Sequence, residues 1–241
     1  MKKLPCLLAA LLAASLSLAA LSCSVSGKGA RADAHFKLGN SYLVVGENQA
    51  AFVEFQKALE LDPRNEKVHN AIGVVYLNLD DYGKAREYFA NAVRLDPSFS
   101  EAFNNLCFAS YSLKRWSDAV EACRKALENP LYLTPEKAYY NMARAYYRMG
   151  EYRKAEEAYE DAIKRFPREA PNRFIAYYGL ALAYNALEMY GKAASTMAKA
   201  VRMDPAFEGD INKAEEAFRT MEARTAEEQK DFRDLIEILR Y

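Results

Sequence analysis

Asp80-Asp81-Tyr82-Gly83-Lys84-Ala85, closed by Leu95-Asp96-Pro97, is a phrase that recurs along this chain. Its closing triplet stands 34 residues after Leu61-Asp62-Pro63, a spacing that fits two short helices and their turns. With Pro63 at position 32 of such a frame, the first unit is 32–65. It carries Leu38 at position 7, Gly39 at 8, Tyr42 at 11, Ala51 at 20, Phe55 at 24 and Ala58 at 27. The second unit, 66–99, fills those positions with Ile72, Gly73, Tyr76, Ala85, Phe89 and Ala92 before Pro97. The third, 100–133, keeps Leu106, Ala119 and Ala126 but places Cys107 at position 8, Ser110 at 11 and Cys123 at 24. After the insert Thr134-Pro135, the fourth unit, 136–169, has Met142, Ala143, Tyr146, Ala155, Tyr159, Ala162 and Pro167. Four inserted residues precede the fifth, 174–207, with Leu180, Ala181, Tyr184, Ala193, Met197, Ala200 and Pro205.

This set of positions resembles the tetratricopeptide repeat. The resemblance implies an all-α, right-handed α-solenoid of stacked helix-turn-helix pairs. The residue types make physical sense in that frame. Small residues at positions 8 and 20 are expected to face each other where paired helices come closest, and a small residue at 27 admits the next unit's first helix. Bulky residues at 4, 7, 11 and 24 fill the space between axes about 8–10 Å apart. Proline at 32 lacks an amide hydrogen and ends the second helix. One hairpin cannot bury its own apolar face, so neighbours must stack.

Local signals agree with the frame. Asn65 can cap the second unit. Ser98 with Glu101, and Thr225 with Glu228, read as capping boxes. Thr134 reads as an N-cap, followed by Pro135 at the first helical position. Beyond Pro205 the frame fails, because Glu215, Glu227 and Asp234 would fall at close-packed positions. Apolar stripes Ile211-Ala214-Phe218-Met221 and Phe232-Leu235-Ile236-Leu239 instead predict a charged helical hairpin over 208–241 that closes the stack with a polar face.

Met1-Lys2-Lys3 followed by the apolar run to Leu21 reads as a leader, 1–22, rather than as fold. The run ends Ala20-Leu21-Ser22-Cys23, which resembles the lipobox of bacterial lipoproteins, with Ala20 where that family usually has leucine. Lipidation of Cys23 is the favoured outcome, beside simple cleavage and retention as an anchor barely long enough to span a bilayer. The resemblance implies a membrane anchor at the periplasmic face of the outer membrane, because Ser24 rather than aspartate follows the cysteine. Several acyl chains make such attachment stable. Residues 23–31 would form a flexible tether.

The 33 basic and 33 acidic side chains balance, so there is no basic surface of the kind nucleic acid requires. His35 and His69 both fall at packing position 4, with no cysteine or carboxylate set at ligand spacing. Neither a phosphate loop nor a nucleophile elbow is present. The expectation is a non-enzymatic chain with no cofactor, metal or small-molecule substrate. If position 8 faces 20 and 24 faces 4, Cys107 and Cys123 are offset by about one turn, roughly 6 Å along the axis. That offset strains the limit of about 7 Å between bridged Cα atoms, so two buried free thiols are favoured over the bond that an oxidising compartment would permit.

Function is expected on the concave face lined by positions 2, 5, 9, 12 and 13 of each first helix, where packing does not demand apolar residues. The first two units place Phe36, Asn40, Asn70 and Val74 there. The third places Asn104, Phe108 and Tyr111, and the fourth Tyr140, Arg144, Tyr147 and Arg148. The fifth places Tyr178, Leu182 and Asn185. Asparagine offers both donor and acceptor to a peptide backbone, and Tyr and Arg are common interface anchors. A protein segment in this groove is the expected partner. It would not be one chosen by its terminal carboxylate, since Phe36, Glu101 and Asn105 stand where the carboxylate clamp needs Lys, Lys and Arg.

A narrower resemblance rests on Phe103-Asn104-Asn105-Leu106 and on Glu128-Asn129-Pro130-Leu131-Tyr132-Leu133-Thr134-Pro135, followed by Ala138 and Asn141. These are similar to the type IV pilus biogenesis lipoproteins of the PilF/PilW type over about residues 20–205. The resemblance implies a pilotin, an outer-membrane scaffold that helps a secretin subunit to localise and assemble. Members usually carry a sixth repeat, which the hairpin replaces here. The alternative is another periplasmic repeat lipoprotein, an adaptor in β-barrel assembly or envelope hydrolase regulation.

Overall fold

A computed structural model of the chain describes residues 27–241. The leader, Cys23 and the first residues of the expected tether lie outside the described residues. Twelve helices and no strands are present among the described residues. The chain forms two compact units, one ending at Pro97 and the other running from Ser98 to Tyr241.

The first unit contains α1 (27–44), α2 (Asn48–Leu61), α3 (Glu66–Asn78) and α4 (Tyr82–Leu95). Residues 27–31, expected in the tether, are already helical. Phe55 and Phe89 are fully buried, and each covers a glycine of the preceding helix. A Cβ built on Gly39 would lie 2.5 Å from Cε1 of Phe55, and one on Gly73 would lie 2.5 Å from Cε1 of Phe89. The side chain nearest to position 8 is therefore the one at position 24. Asn65 Oδ1 accepts from the Val68 amide at 3.2 Å, and Asp81 Oδ1 from the Lys84 amide at 3.0 Å, capping α3 and α4.

The second unit contains α5 (Ser100–Ser112), α6 (Trp116–Leu127), α7 (Pro135–Arg148), α8 (Tyr152–Arg165), α9 (Arg173–Ala186) and α10 (Tyr190–Met203). It ends with α11 (Ile211–Thr220) and α12 (Ala226–Ile238). Where the first unit sets glycine against phenylalanine, α5 and α6 are joined by a disulfide between Cys107 and Cys123, whose Cα atoms are 5.2 Å apart. The expectation of free thiols is corrected for the same reason as the glycine contact. The Cα separation brings positions 8 and 24 opposite each other, without the one-turn offset assumed between them.

The turn inside each helix pair repeats a left-handed residue at position 15: Gly46, Asp80, Lys114, Gly150 and Glu188, with φ between 56° and 82°. Their spacing is 34, 34, 36 and 38 residues, which is the constant step plus the two inserts. Such a residue ends the first helix and reverses the chain. Three of the five are not glycine, and each carries the steric cost of a Cβ in that region.

Not every expected cap forms. α5 begins at Ser100 behind Phe99, after a turn from the Ser100 amide to the Ser98 carbonyl at 2.9 Å. Thr134 precedes α7 without a side-chain cap, while Pro135 occupies the first turn. The box at α12 does form: Thr225 Oγ1 accepts from the Glu228 amide at 3.1 Å, and the Glu228 carboxylate accepts from the Arg224 amide at 2.8 Å.

Candidate protein-binding face

In the second unit, α5 packs on α7 and α7 on α9, so the first helices stand side by side and present one wall. On it the structure brings together four of the residues singled out by the frame. The Arg144 guanidinium lies 4.1 Å from the centroid of the Tyr111 ring and 5.6 Å from that of Tyr140. Arg148 Nε donates to the Tyr111 hydroxyl at 3.3 Å. Tyr140 meets Tyr159 edge-on at 6.0 Å between centroids. Burial pushes the Tyr140 and Tyr159 phenols up, so both stay neutral. Burial also opposes the charge on Arg144, yet Tyr140 and Tyr111 outweigh it and hold the guanidinium protonated. The result is a cation set between aromatic faces.

Other residues of the set are already engaged. Asn141 Nδ2 donates to Asn104 Oδ1 at 3.2 Å, with both side chains buried, so this pair braces α5 to α7 rather than facing a ligand. Tyr147 is 9% exposed and packs against Tyr152, and Leu182 is 8% exposed. Tyr178 donates to Asp204 at 3.0 Å and stands edge-on to Phe218. Phe108 and Asn185 are half-buried. In the first unit, Asn70 is buried, while Phe36, Asn40 and Val74 are half-buried, with Phe36 against Phe55.

What covers much of this wall is the chain's own end. α12 packs on α9 and α10, and its side chains reach α7 and the α5–α6 turn. Asp231 makes a two-pronged ion pair with Arg148, each side chain about one-sixth exposed. Burial disfavours the Arg148 charge, but the bond to Asp231 outweighs it and raises the pKa. Glu227 accepts from Lys114 at 2.6 Å, which holds its carboxyl down at about 2. Tyr241 donates to Asn185 at 3.1 Å. Lys114, Glu227, Asp231 and Tyr241 were not among the residues the frame singled out. Glu227 and Asp231 share one face of a helix, four residues apart, which was the available signal.

His35 and His69 have local partners: Glu54 at 2.6 Å and the Pro63 carbonyl at 3.1 Å. Among the described residues, no three His, Cys, Asp or Glu side chains group to hold a metal ion, and no helix is long and apolar enough to cross a membrane.

The chain is 28% identical over 138 residues to the type IV pilus assembly protein PilF of Pseudomonas aeruginosa, which covers 57% of this chain and 55% of that protein. It therefore spans about half the length of that curated relative. The crystal structure of PilW, a type IV pilus biogenesis factor, superposes with a TM-score of 0.68 over 86% of this chain and 90% of PilW. At 22% identity that is a likeness of fold. The crystal structure of MamA superposes with a TM-score of 0.62 at 25% identity, over 82% of this chain and 99% of MamA. Tetratricopeptide repeat models match residues 32–65 and 66–99 in the first unit and 140–206 in the second, together more than half of the chain. On those matches, the chain belongs to the tetratricopeptide repeat family.

Proposed function

We propose that the chain is a non-enzymatic protein-interaction scaffold for type IV pilus biogenesis, lipid-anchored through Cys23 at the periplasmic face of the outer membrane, where it promotes localisation or assembly of a secretin subunit. The observation that carries the binding part is the Tyr111-Arg144-Tyr140 arrangement. It is a guanidinium aligned by two rings on the wall that repeat arrays use for partners, with Arg144 half-buried rather than enclosed. The pilus part is supported by the likeness to PilF. Export is supported by the buried disulfide, since such bonds persist in oxidising compartments.

The test is crosslinked pull-down from envelope membranes, scored for a secretin against barrel-assembly components and envelope hydrolases. Capture of the secretin by the wild-type chain, lost on Arg144→Gln, is the expected result. Capture of barrel-assembly components in its place, or a secretin yield unaffected by Arg144→Gln, overturns the reading. Cys23→Ala is expected to move the chain from the membrane to the soluble fraction, and unchanged fractionation refutes the anchor.

A further inference from the structure

The wall of the second unit is shown with an occupant, and the way α12 is seated specifies what kind of segment that wall takes. α12 crosses the C-terminal ends of three first helices in order. Glu227 meets Lys114 just past α5, Asp231 meets Arg148 at the end of α7, and Tyr241 meets Asn185 at the end of α9. From Glu227 to Ile238, the last residue of α12, is about 17 Å of helix at 1.5 Å per residue, and Tyr241 lies three residues past that end. Two steps between neighbouring helix axes are about 16–20 Å. The length of the occupant is therefore comparable to two steps of the stack.

The chemistry of the contact has two parts. Leu235 and Ile238 are 5% and 1% exposed, and Phe232 stacks on Phe218. Beside that apolar stripe, carboxylates at Glu227 and Asp231 meet cations at Lys114 and Arg148. Residues 226–241 carry five carboxylates against three basic side chains, so an acidic helix lies on cationic ends. α12 is joined to α11 by 221–225, a non-helical stretch in which Met221 is 48% exposed. The ion pair to Lys114 is open to solvent and holds weakly. Arg148 with Asp231 is the anchor.

We infer that α12 is a resident stand-in, and that the partner of this wall is an acidic amphipathic helix that displaces it. The inference rests on the reading that this wall binds protein, and it names the class of segment bound. The incoming helix presents a carboxylate four residues after another, then apolar side chains four and seven residues beyond the second. It takes over Lys114, Arg148 and the site of Leu235 and Ile238, while α12 swings away about 221–225. A tethered competitor acts at a high effective concentration, so the resident helix sets the affinity that a partner must exceed.

The probe is a fluorescein-labelled peptide with the sequence of residues 225–241, titrated into the full chain. Asp231→Lys in the chain removes the resident anchor and leaves Arg148 available, so the probe is expected to bind that variant at least about tenfold more tightly than wild type. Adding Arg148→Ala, which leaves no charge at that position for either the resident helix or the probe, should abolish the gain. Hydrogen exchange should show α12 losing protection in Asp231→Lys while α7 and α9 keep theirs. If Asp231→Lys lowers helical content, Asp231→Asn weakens the same anchor without reversing its charge, with a smaller gain in the same direction. Equal probe affinity for wild type and both loosened variants, indifference to Arg148→Ala, or self-association through exchanged α12 overturns the inference. Secretin capture by wild type without the probe gain sinks this inference alone; probe gain without secretin capture sinks the pilus reading alone.

Discussion

Replacing Gly73 by alanine tests the closest contact in the first unit. The added methyl would sit 2.5 Å from Cε1, 2.7 Å from Cδ1 and 2.9 Å from Cζ of Phe89. Phe89 is fully buried, so its ring has no solvent to swing into and must push the second helix away. Overpacking of this kind costs about 1–3 kcal/mol. Alanine in place of glycine within a helix returns about 1 kcal/mol, so the net loss is about 1 kcal/mol for Gly73→Ala, rising to about 2 kcal/mol for Gly73→Leu. Gly83→Ala is the control, because its nearest contact would be 3.6 Å away at Asp81 and only the propensity gain applies. Phe89→Leu in the Gly73→Ala background should recover part of the loss, giving a coupling measurable in a double-mutant cycle. Urea unfolding must be followed by far-UV circular dichroism, since the only tryptophan, Trp116, lies in the second unit. Gly73→Ala that matches Gly83→Ala, both gaining stability, would refute the argument.

Three further outcomes are expected. Cys107→Ala should destabilise the second unit by about 3 kcal/mol, and dithiothreitol should lower the urea midpoint of the wild type but not of the variant. Tyr147→Ala should cost about 3 kcal/mol, because that ring is 9% exposed against Tyr152; a variant as stable as wild type would place Tyr147 on a free surface. The Glu227 carboxyl is lowered to about 2 by its hydrogen bond from Lys114, so its contribution is complete above its unfolded pKa near 4.5 and vanishes as pH falls through about 2. The urea midpoint of wild type should therefore exceed that of Glu227→Gln above pH 4.5, and the two should converge toward pH 2.

The helical repeat was legible because it is written in residue size. Glycine or alanine stands at position 8 in four of the five units, and a ring at position 24 in three. The register between paired helices was not legible. Shifting one helix by a turn exchanges one small-residue row for another, and size patterns alone do not distinguish them. Cys107 and Cys123 resolve it in the structure, since a disulfide at the positions filled elsewhere by Gly39 with Phe55 and Gly73 with Phe89 requires those positions to be opposite. The left-handed residue at position 15 was hidden for a related reason. Where Gly46 and Gly150 stand it follows local preference, but at Asp80, Lys114 and Glu188 the packed helices impose it against the side chain's own preference.

The groove was legible only in part, because the criterion used for it assumes an uncovered wall. Positions 12 and 13 of a first helix are free of packing within the repeat, which is why Tyr147 and Arg148 stood out. Once α12 folds back, the same positions become the floor of a second layer: Arg148 binds Asp231 and Tyr147 is enclosed. Residue type is then no guide to exposure, since an arginine and tyrosines suit an internal helix as well as a foreign one. Arg144, one turn before Arg148, keeps its charge against the Tyr111 and Tyr140 rings. A wall that holds its own helix at Arg148 and leaves Arg144 to the rings can discriminate partners by how far their carboxylates extend along α7. A segment that satisfies only Arg148 competes with α12 on equal terms, whereas one that also reaches Arg144 gains a contact that α12 never makes.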